Sequence, residues 1–232
     1  MIKKRIQKLI NRFDKYKIDG YVIPKNDEFF SEYSKNDRLK TISNFTGSAG
    51  YSVILKDKYY LFVDGRYTIQ ADKESGKIFK IVSYDKIINC NLFKNLTLGV
   101  DPKIFTSQQI KIYFSKHNKI KIIKENLIDQ VYKEKSFFHK PFFSIEDNIV
   151  GESYEAKLLK IKKYLNKNNS DLMFITAPEN VAWLLNIRGF DNPNSPIPNC
   201  HLLIDKKNNP HLICEKKKAK KIILEKKIRK KQ

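Results

Sequence analysis

Asn44-Phe45-Thr46-Gly47-Ser48-Ala49-Gly50 runs straight into the apolar stretch Tyr51 to Leu55; Lys56-Asp57-Lys58 interrupts, Tyr59 to Val63 resumes, and Asp64-Gly65-Arg66-Tyr67 closes the segment. Two apolar runs separated by three polar residues predict a β-hairpin. Before it, Gly47-Ser48-Ala49-Gly50 carries side chains small enough for backbone groups to approach closely, and its glycines admit positive φ, which suits either an anion loop or a tight turn. Phosphate loops deliver their ligand to a helix N-terminus, whereas this loop delivers the chain to a strand, so the turn is the stronger reading. It is not a nucleophile elbow, because Thr46 stands where glycine is required two positions before Ser48. A helix is expected to begin near Arg66 and to end before Gly76, with Asp64 as a possible cap.

Working outward, Ile6, Leu9, Ile10 and Phe13 fall at helical spacing and predict an amphipathic helix over Ile2 to Tyr16, ended by Asp19-Gly20. Tyr21 to Pro24 reads as a buried strand and Lys25 to Lys40 as a long loop. Further strands are expected at Phe79 to Val82, Leu96 to Val100 and Ile120 to Ile123, and a helix from Ser107, its N-cap, to about His117. The aperiodic segment Glu134 to Ser153, with Pro141 and Gly151, reads as a linker.

Beyond it the order restarts: a helix over Tyr154 to Leu165, a polar break, a strand at Leu172 to Thr176, a helical stretch ending Trp183-Leu184-Leu185-Asn186-Ile187-Arg188-Gly189, and strands at Cys200 to Ile204 and His211 to Cys214. Asn44-Phe45-Thr46-Gly47 aligns with Asn186-Ile187-Arg188-Gly189. Two related α/β units are therefore expected, over 1–135 and 154–232 with 136–153 between them, the second unit incomplete. In the tail Glu215 to Gln232, ten basic side chains between Lys216 and Lys231 face one acid, Glu225, and a weak stripe of Ala219, Ile222, Ile223 and Ile228 reads as a docking helix rather than a membrane-surface one.

The chain has 232 residues, is 41% hydrophobic with 15 Phe and 12 Tyr, and so can fill sizeable cores. Its formal charge of +21 would suit nucleic acid or an anionic surface. Almost all of that charge is lysine spread over every segment alongside abundant Asn and Ile, which fits compositional drift better than a built patch. Against that background the arginines are informative, since lysine does not replace a planar five-donor fork. They are Arg5, Arg12, Arg38, Arg66, Arg188 and Arg229, and two of them sit inside the motifs quoted above. Cys90, Cys200 and Cys214 are too few for a disulfide framework, and neither a signal peptide nor a membrane-spanning run is legible, so a cytoplasmic location without membrane or specific nucleic-acid partners is expected.

Chemistry is sparse. Arg66 is placed to clamp a carboxylate, though an internal pair with Asp64 that fixes the turn is the stronger reading. Arg188 and Asp191 are candidates to pair across a proline-rich loop, and Trp183, the single tryptophan, reads as core before it reads as a ligand contact. Cys200-His201 and His211-X-X-Cys214 invite a zinc reading. Adjacent strand residues face opposite sides, however, and His117 and His139 lie in unrelated segments, so no metal site is expected.

Taken together, Ser31-Glu32-Tyr33, Asn44 to Gly50, Asp64 to Tyr67, Gly99-Val100-Asp101-Pro102, Glu125 to Asp129, Gly151-Glu152-Ser153, Ala182 to Gly189 and Asp191 with Ser195-Pro196-Ile197 resemble the N-terminal region of long-form Xaa-Pro aminopeptidases, of the creatinase and prolidase superfamily. The resemblance implies two creatinase-N-like, ribonuclease H-like units with mixed sheets flanked by helices. In the family these precede a catalytic domain in which two Asp, one His and two Glu hold two divalent metals, usually manganese, that activate water for cleavage before a penultimate proline. Those ligand motifs are not found in this sequence, and Tyr132 stands where the family has Trp. The resemblance thus implies a non-catalytic fragment of a metallopeptidase, a hydrolase. Its partners would be a second copy or the missing catalytic domain, with short proline-containing peptides as substrates of the parent. Arg66, Trp183, Arg188 and Asp191 are the candidates for bordering the cleft or an assembly contact. The alternatives are a stand-alone interaction module and a basic nucleic-acid-binding protein.

Overall fold

The computed structural model describes residues 2–31, 36–88, 90–132 and 140–224, and divides them into two compact units, 2–132 and 140–224. Glu32, Tyr33, His139, the start of the expected linker and the tail from Glu225 onward lie outside the described residues.

The first unit opens with α1 (Ile2–Ile10) and α2 (Phe13–Tyr16). The single helix expected over this stretch is thus broken at Asn11-Arg12, where the Arg12 N–H bonds back to Leu9 O and the chain is redirected so that Leu9 and Phe13 are both fully buried. β1 (Gly20–Pro24) follows. The expected long loop is then cut short by α3 (Arg38–Ser43), whose N-cap Asp37 accepts from Lys40 N. β2 (Gly50–Leu55) and β3 (Tyr59–Val63) form the hairpin read from the sequence, in antiparallel register from Gly50↔Val63 to Ile54↔Tyr59. After a turn of 3₁₀ helix at Gly65–Tyr67 come α4 (Thr68–Ser75), β4 (Lys80–Ser83), β5 (Thr97–Val100), α5 (Ser107–Tyr113), β6 (Lys119–Ile122) and α6 (Leu127–Val131). The cap of α5 is Thr106, not Ser107: its hydroxyl accepts from Gln109 N while the Gln109 side chain accepts from Thr106 N, a reciprocal box that Ser107 cannot make from one position later.

Among the described residues these strands form one mixed sheet in the order β4-β3-β2-β1-β5-β6, with β1, β2 and β3 antiparallel and the outer strands parallel to their neighbours. Alternation along the strands sends side chains to opposite faces, and both faces are covered. Tyr21, Ile23, Ile54, Leu61 and Val63 pack against α1 and α3, whereas Val22, Val53, Tyr60, Phe62, Leu98 and Val100 pack with Phe93, Phe105 and Phe114.

The second unit contains β7 (Phe143–Ser144), α7 (Asp147–Val150), α8 (Tyr154–Lys167), β8 (Leu172–Ile175), α9 (Pro178–Leu185), β9 (Ile187–Arg188), β10 (His201–Asp205), β11 (Pro210–Ile213) and α10 (Lys216–Leu224). Part of the stretch read as a linker therefore belongs to this unit: β7 pairs with β9, and Phe142 is fully buried in its core. The two-residue strands are too short to show any period in the sequence. β11-β10-β8 make an antiparallel sheet with one face packed against α8, α9 and α10. On its other face Leu172, Phe174 and Ile213 are exposed.

Candidate functional site

The two motifs that opened the sequence reading meet in the first unit. Asp64 leaves β3 extended, and its carboxylate accepts from Arg66 N at 3.0 Å and from Arg66 Nε at 2.9 Å. That internal bond, together with the backbone bond, holds the Asp64 carboxyl below the usual carboxylate range. Arg66 also lies over the Tyr67 ring, 5.4 Å from its centroid, and its side chain is 73% exposed. Tyr67 then stitches the glycine loop down: its hydroxyl is 2.9 Å from Ser48 Oγ, and its ring meets Phe45 edge-on. From α4, Glu74 accepts from Thr46 N at 2.8 Å and Thr46 Oγ1 at 2.7 Å.

Glycine is required here by close approach. A Cβ on Gly47 would stand 2.2 Å from Phe45 Cζ and one on Gly50 2.9 Å from Phe62 O. Among the described glycines, positive φ occurs at Gly151 and not in this loop, so the conformational freedom of these glycines is not what the loop uses. Beside the loop, Lys25, Asn26, Ser48, Gly50, Asp64 and Tyr84 line a hollow of about 250 Å³ at the ends of the central strands. Lys25 is held there by an ion pair with Asp37.

The second-unit candidates separate into different roles. α9 ends at Asn186 in the left-handed region (φ 51°), matching Asn44 at the end of α3 (φ 68°). Arg188 does not reach Asp191 as expected. Its Nη1 donates to Ala182 O at 3.2 Å and Ile187 O at 2.9 Å, so the guanidinium bridges a carbonyl of the last turn of α9 and one at the start of β9. Asp191 instead pairs with Lys218 of α10 at 2.7 Å and accepts from Asn199 N at 2.8 Å, both charged side chains being about nine-tenths buried. Trp183 is not core: it is 58% exposed, and its ring covers the ammonium of buried Lys157 at 4.4 Å. Lys157 Nζ also donates to Trp183 O at 2.8 Å and Asn186 Oδ1 at 2.6 Å.

Sequence reading missed Lys157 and Lys218, which look like every other lysine of a lysine-rich chain. It also passed over Arg38, although the argument from retained arginines applies best there. Buried Arg38 grips Asp129 through Nε (2.9 Å) and Nη2 (2.7 Å) and reaches Glu28 at 2.6 Å. As for metals, no group of three or more His, Cys, Asp or Glu among the described residues stands where it could hold an ion, so these side chains do not fit a two-metal centre. Cys200 and His201 do face opposite sides, the thiol buried and His201 Nδ1 against Thr176 O at 2.8 Å. No helix among the described residues is long and apolar enough to cross a membrane.

The first unit is a six-stranded α/β unit, and the second repeats its central helix-strand order. Residues 5–128 match the creatinase/prolidase N-terminal domain, and residues 133–232 match a second model of the same description. The chain belongs to the creatinase/prolidase family.

Among particular proteins, it is 31% identical over 220 residues to Xaa-Pro aminopeptidase 1 of Dictyostelium discoideum, covering 84% of this chain and 35% of that one. It is 30% identical over 210 residues to a probable Xaa-Pro aminopeptidase P of Laccaria bicolor, covering 84% and 33%. In fold it matches the X-prolyl aminopeptidase of Caenorhabditis elegans, described as a cytosolic enzyme with a di-nuclear active site, at a TM-score of 0.86 and 22% identity over 98% of this chain and 42% of that one. The chain thus spans about a third of the length of the curated relatives it matches.

Proposed function

We propose that this chain is the non-catalytic N-terminal portion of a cytosolic, metal-dependent Xaa-Pro aminopeptidase, and that it borders the substrate cleft and contributes to assembly. The observation that carries the reading is the extent of similarity: it runs through 84% of this chain and falls on a third of each aminopeptidase. The hydrolytic metals, two divalent ions by family resemblance, are assigned to polypeptide other than the described residues, whose acids and imidazoles are not grouped to hold them. In this reading Arg66 and Trp183 present the exposed cationic and aromatic surfaces that face a peptide or a neighbouring subunit, Arg188 fixes the end of the helix carrying Trp183, and Asp191 anchors the loop that follows. The test is an assay of the purified 232-residue chain on a short Xaa-Pro peptide with added manganese. No turnover above buffer is expected, and robust chelator-sensitive cleavage overturns the assignment.

A second reading, a stand-alone interaction module, is favoured by the exposed Leu172, Phe174 and Ile213 on one sheet face. A fixed-stoichiometry self-associated species in sedimentation, lost when Phe174 is made polar, would support it.

A further inference from the structure

We propose that Cys200 and Cys214 form a reversible intramolecular disulfide, which makes the end of the β10–β11 hairpin a thiol-oxidation site. Both cysteines are free in the structure. The β10–β11 register, from Ile204↔Pro210 to His201↔Ile213, places Cys200 opposite Cys214 when continued by one residue. Asp205 N donates to Asn209 O at 3.3 Å, which marks that pair as a hydrogen-bonded position. Alternation along an antiparallel ladder then makes His201–Ile213 a hydrogen-bonded pair and Cys200–Cys214 a non-hydrogen-bonded one, the position where opposite Cα atoms approach to about 4.5 Å and side chains are nearest. A disulfide accepts Cα separations of about 4.4–6.8 Å. Residues opposite one another share a face, and both thiols do pack into the same core.

Exposure sets the order of events. Cys200 is fully buried and Cys214 only partly, so a small oxidant meets Cys214 first. With a low-molecular-weight disulfide such as oxidised glutathione, the Cys214 thiolate attacks one sulfur, forming a mixed disulfide and expelling one glutathione thiolate. The Cys200 thiolate then attacks the Cys214 sulfur, forming the protein disulfide and expelling the second. The two protein protons end on two reduced glutathiones, so one disulfide is reduced as another is made.

The surroundings make this exchange slow and steeply pH-dependent. Burial pushes the Cys214 thiol up to about 11, opposed by Lys218 and reinforced by Asp191 and Glu215, and burial likewise raises Cys200, with Cys214 and Asp191 adding to it and Lys218 opposing. Below that value the thiolate fraction, and with it the rate, climbs roughly tenfold per pH unit.

The test uses the reduced full chain in native buffer with oxidised glutathione, at neutral pH and about pH 9, read by intact mass and peptide mapping. The expected product has lost two hydrogens, carries a Cys200–Cys214 cross-link and a free Cys90, forms faster at the higher pH, and reverts with dithiothreitol. In Cys200→Ser the reaction should stop at one stable glutathione adduct on Cys214. A stable glutathione adduct on the unaltered chain, a link through Cys90, persistence of all three thiols, or cross-linking only in denaturant each overturns the proposal; the unaltered chain suffices for all four, so a poorly folding variant does not blunt the test.

Discussion

The two units run the same course, helix to strand to asparagine-capped helix to antiparallel strand pair to helix, yet one sheet is buried on both faces and the other on one. In the first unit β4, β5, β6 and α5 extend the sheet and bring Phe93, Phe105 and Phe114 over its second face. Among the described residues of the second unit, the corresponding face keeps Leu172, Phe174 and Ile213 in solvent, and a buried ion pair, Asp191 with Lys218, ties α10 to the loop before β10. The difference teaches that a shared local order fixes how the central strands pair but not what covers them. Buried charges are paired in both units, Arg38 with Asp129 in the first and Lys218 with Asp191 in the second, so what separates the two is the second apolar layer.

That contrast can be broken by substitution. The largest effect is expected for Phe62→Ala, which empties a ring site in the second layer of the first sheet and should cost about 3–5 kcal/mol in denaturant unfolding. Phe174→Ala, on the exposed face of the second sheet, should change stability by less than about 0.5 kcal/mol. Equal losses would erase the distinction. Next comes Lys218→Ala, which strands the buried Asp191 carboxylate and should cost about 3 kcal/mol, with the loss seen as earlier hydrogen exchange in the second unit. The exposed Asp64–Arg66 pair is the foil: Arg66→Ala should shift the unfolding midpoint far less than Lys218→Ala, because solvent screens the pair.

The smallest effect sharpens the comparison through pH. Burial acts to raise the Glu74 carboxyl, but the Thr46 and Gln70 hydrogen bonds outweigh it and hold the group below its ordinary value. A carboxylate depressed in the folded state contributes stability that is present above its unfolded pKa and is lost as pH falls through the folded one. Glu74→Gln should therefore flatten the acid limb of the unfolding profile for the first unit below about pH 4.3 and leave the second unit's unchanged. An unchanged acid limb would show that the glycine loop is held by Ser48–Tyr67 and Phe45–Tyr67 alone.

Much of the fold was legible in residue order. The hairpin, the strand positions and the equivalence of Asn44 with Asn186 follow from apolar period and from the tolerance of asparagine for the left-handed region, both local properties. Legibility failed where local signals are short or ambiguous. The pair β7 and β9 is too brief to have a period, the Asn11-Arg12 break interrupts a continuous amphipathic stripe, and Thr106 and Ser107 are both good caps until a glutamine three residues on selects the first.

The candidate residues divide in the same way. The sequence singled out Arg66, Trp183, Arg188 and Asp191 by motif, and of the pairings it offered, Asp64–Arg66 formed because the partners are two residues apart at a turn. Arg188–Asp191 did not form, because Asp191 found Lys218 and Arg188 found the carbonyls of Ala182 and Ile187. In the same way, Trp183 was judged by its type to be core, whereas it is exposed and its ring lies over the Lys157 ammonium.

What the sequence by itself determined is the family, the central hairpin of the first unit and the repeated order of elements in the two units, since these rest on patterns of neighbouring residues. Only the tertiary structure decided which of forty similar lysines are buried partners, that Arg38 locks Asp129 and Glu28, and that Cys200 and Cys214 flank the paired ends of one hairpin. The physical reason is that charge pairing and thiol opposition depend on residues far apart in the chain being brought within a few ångströms, and composition carries no record of that distance.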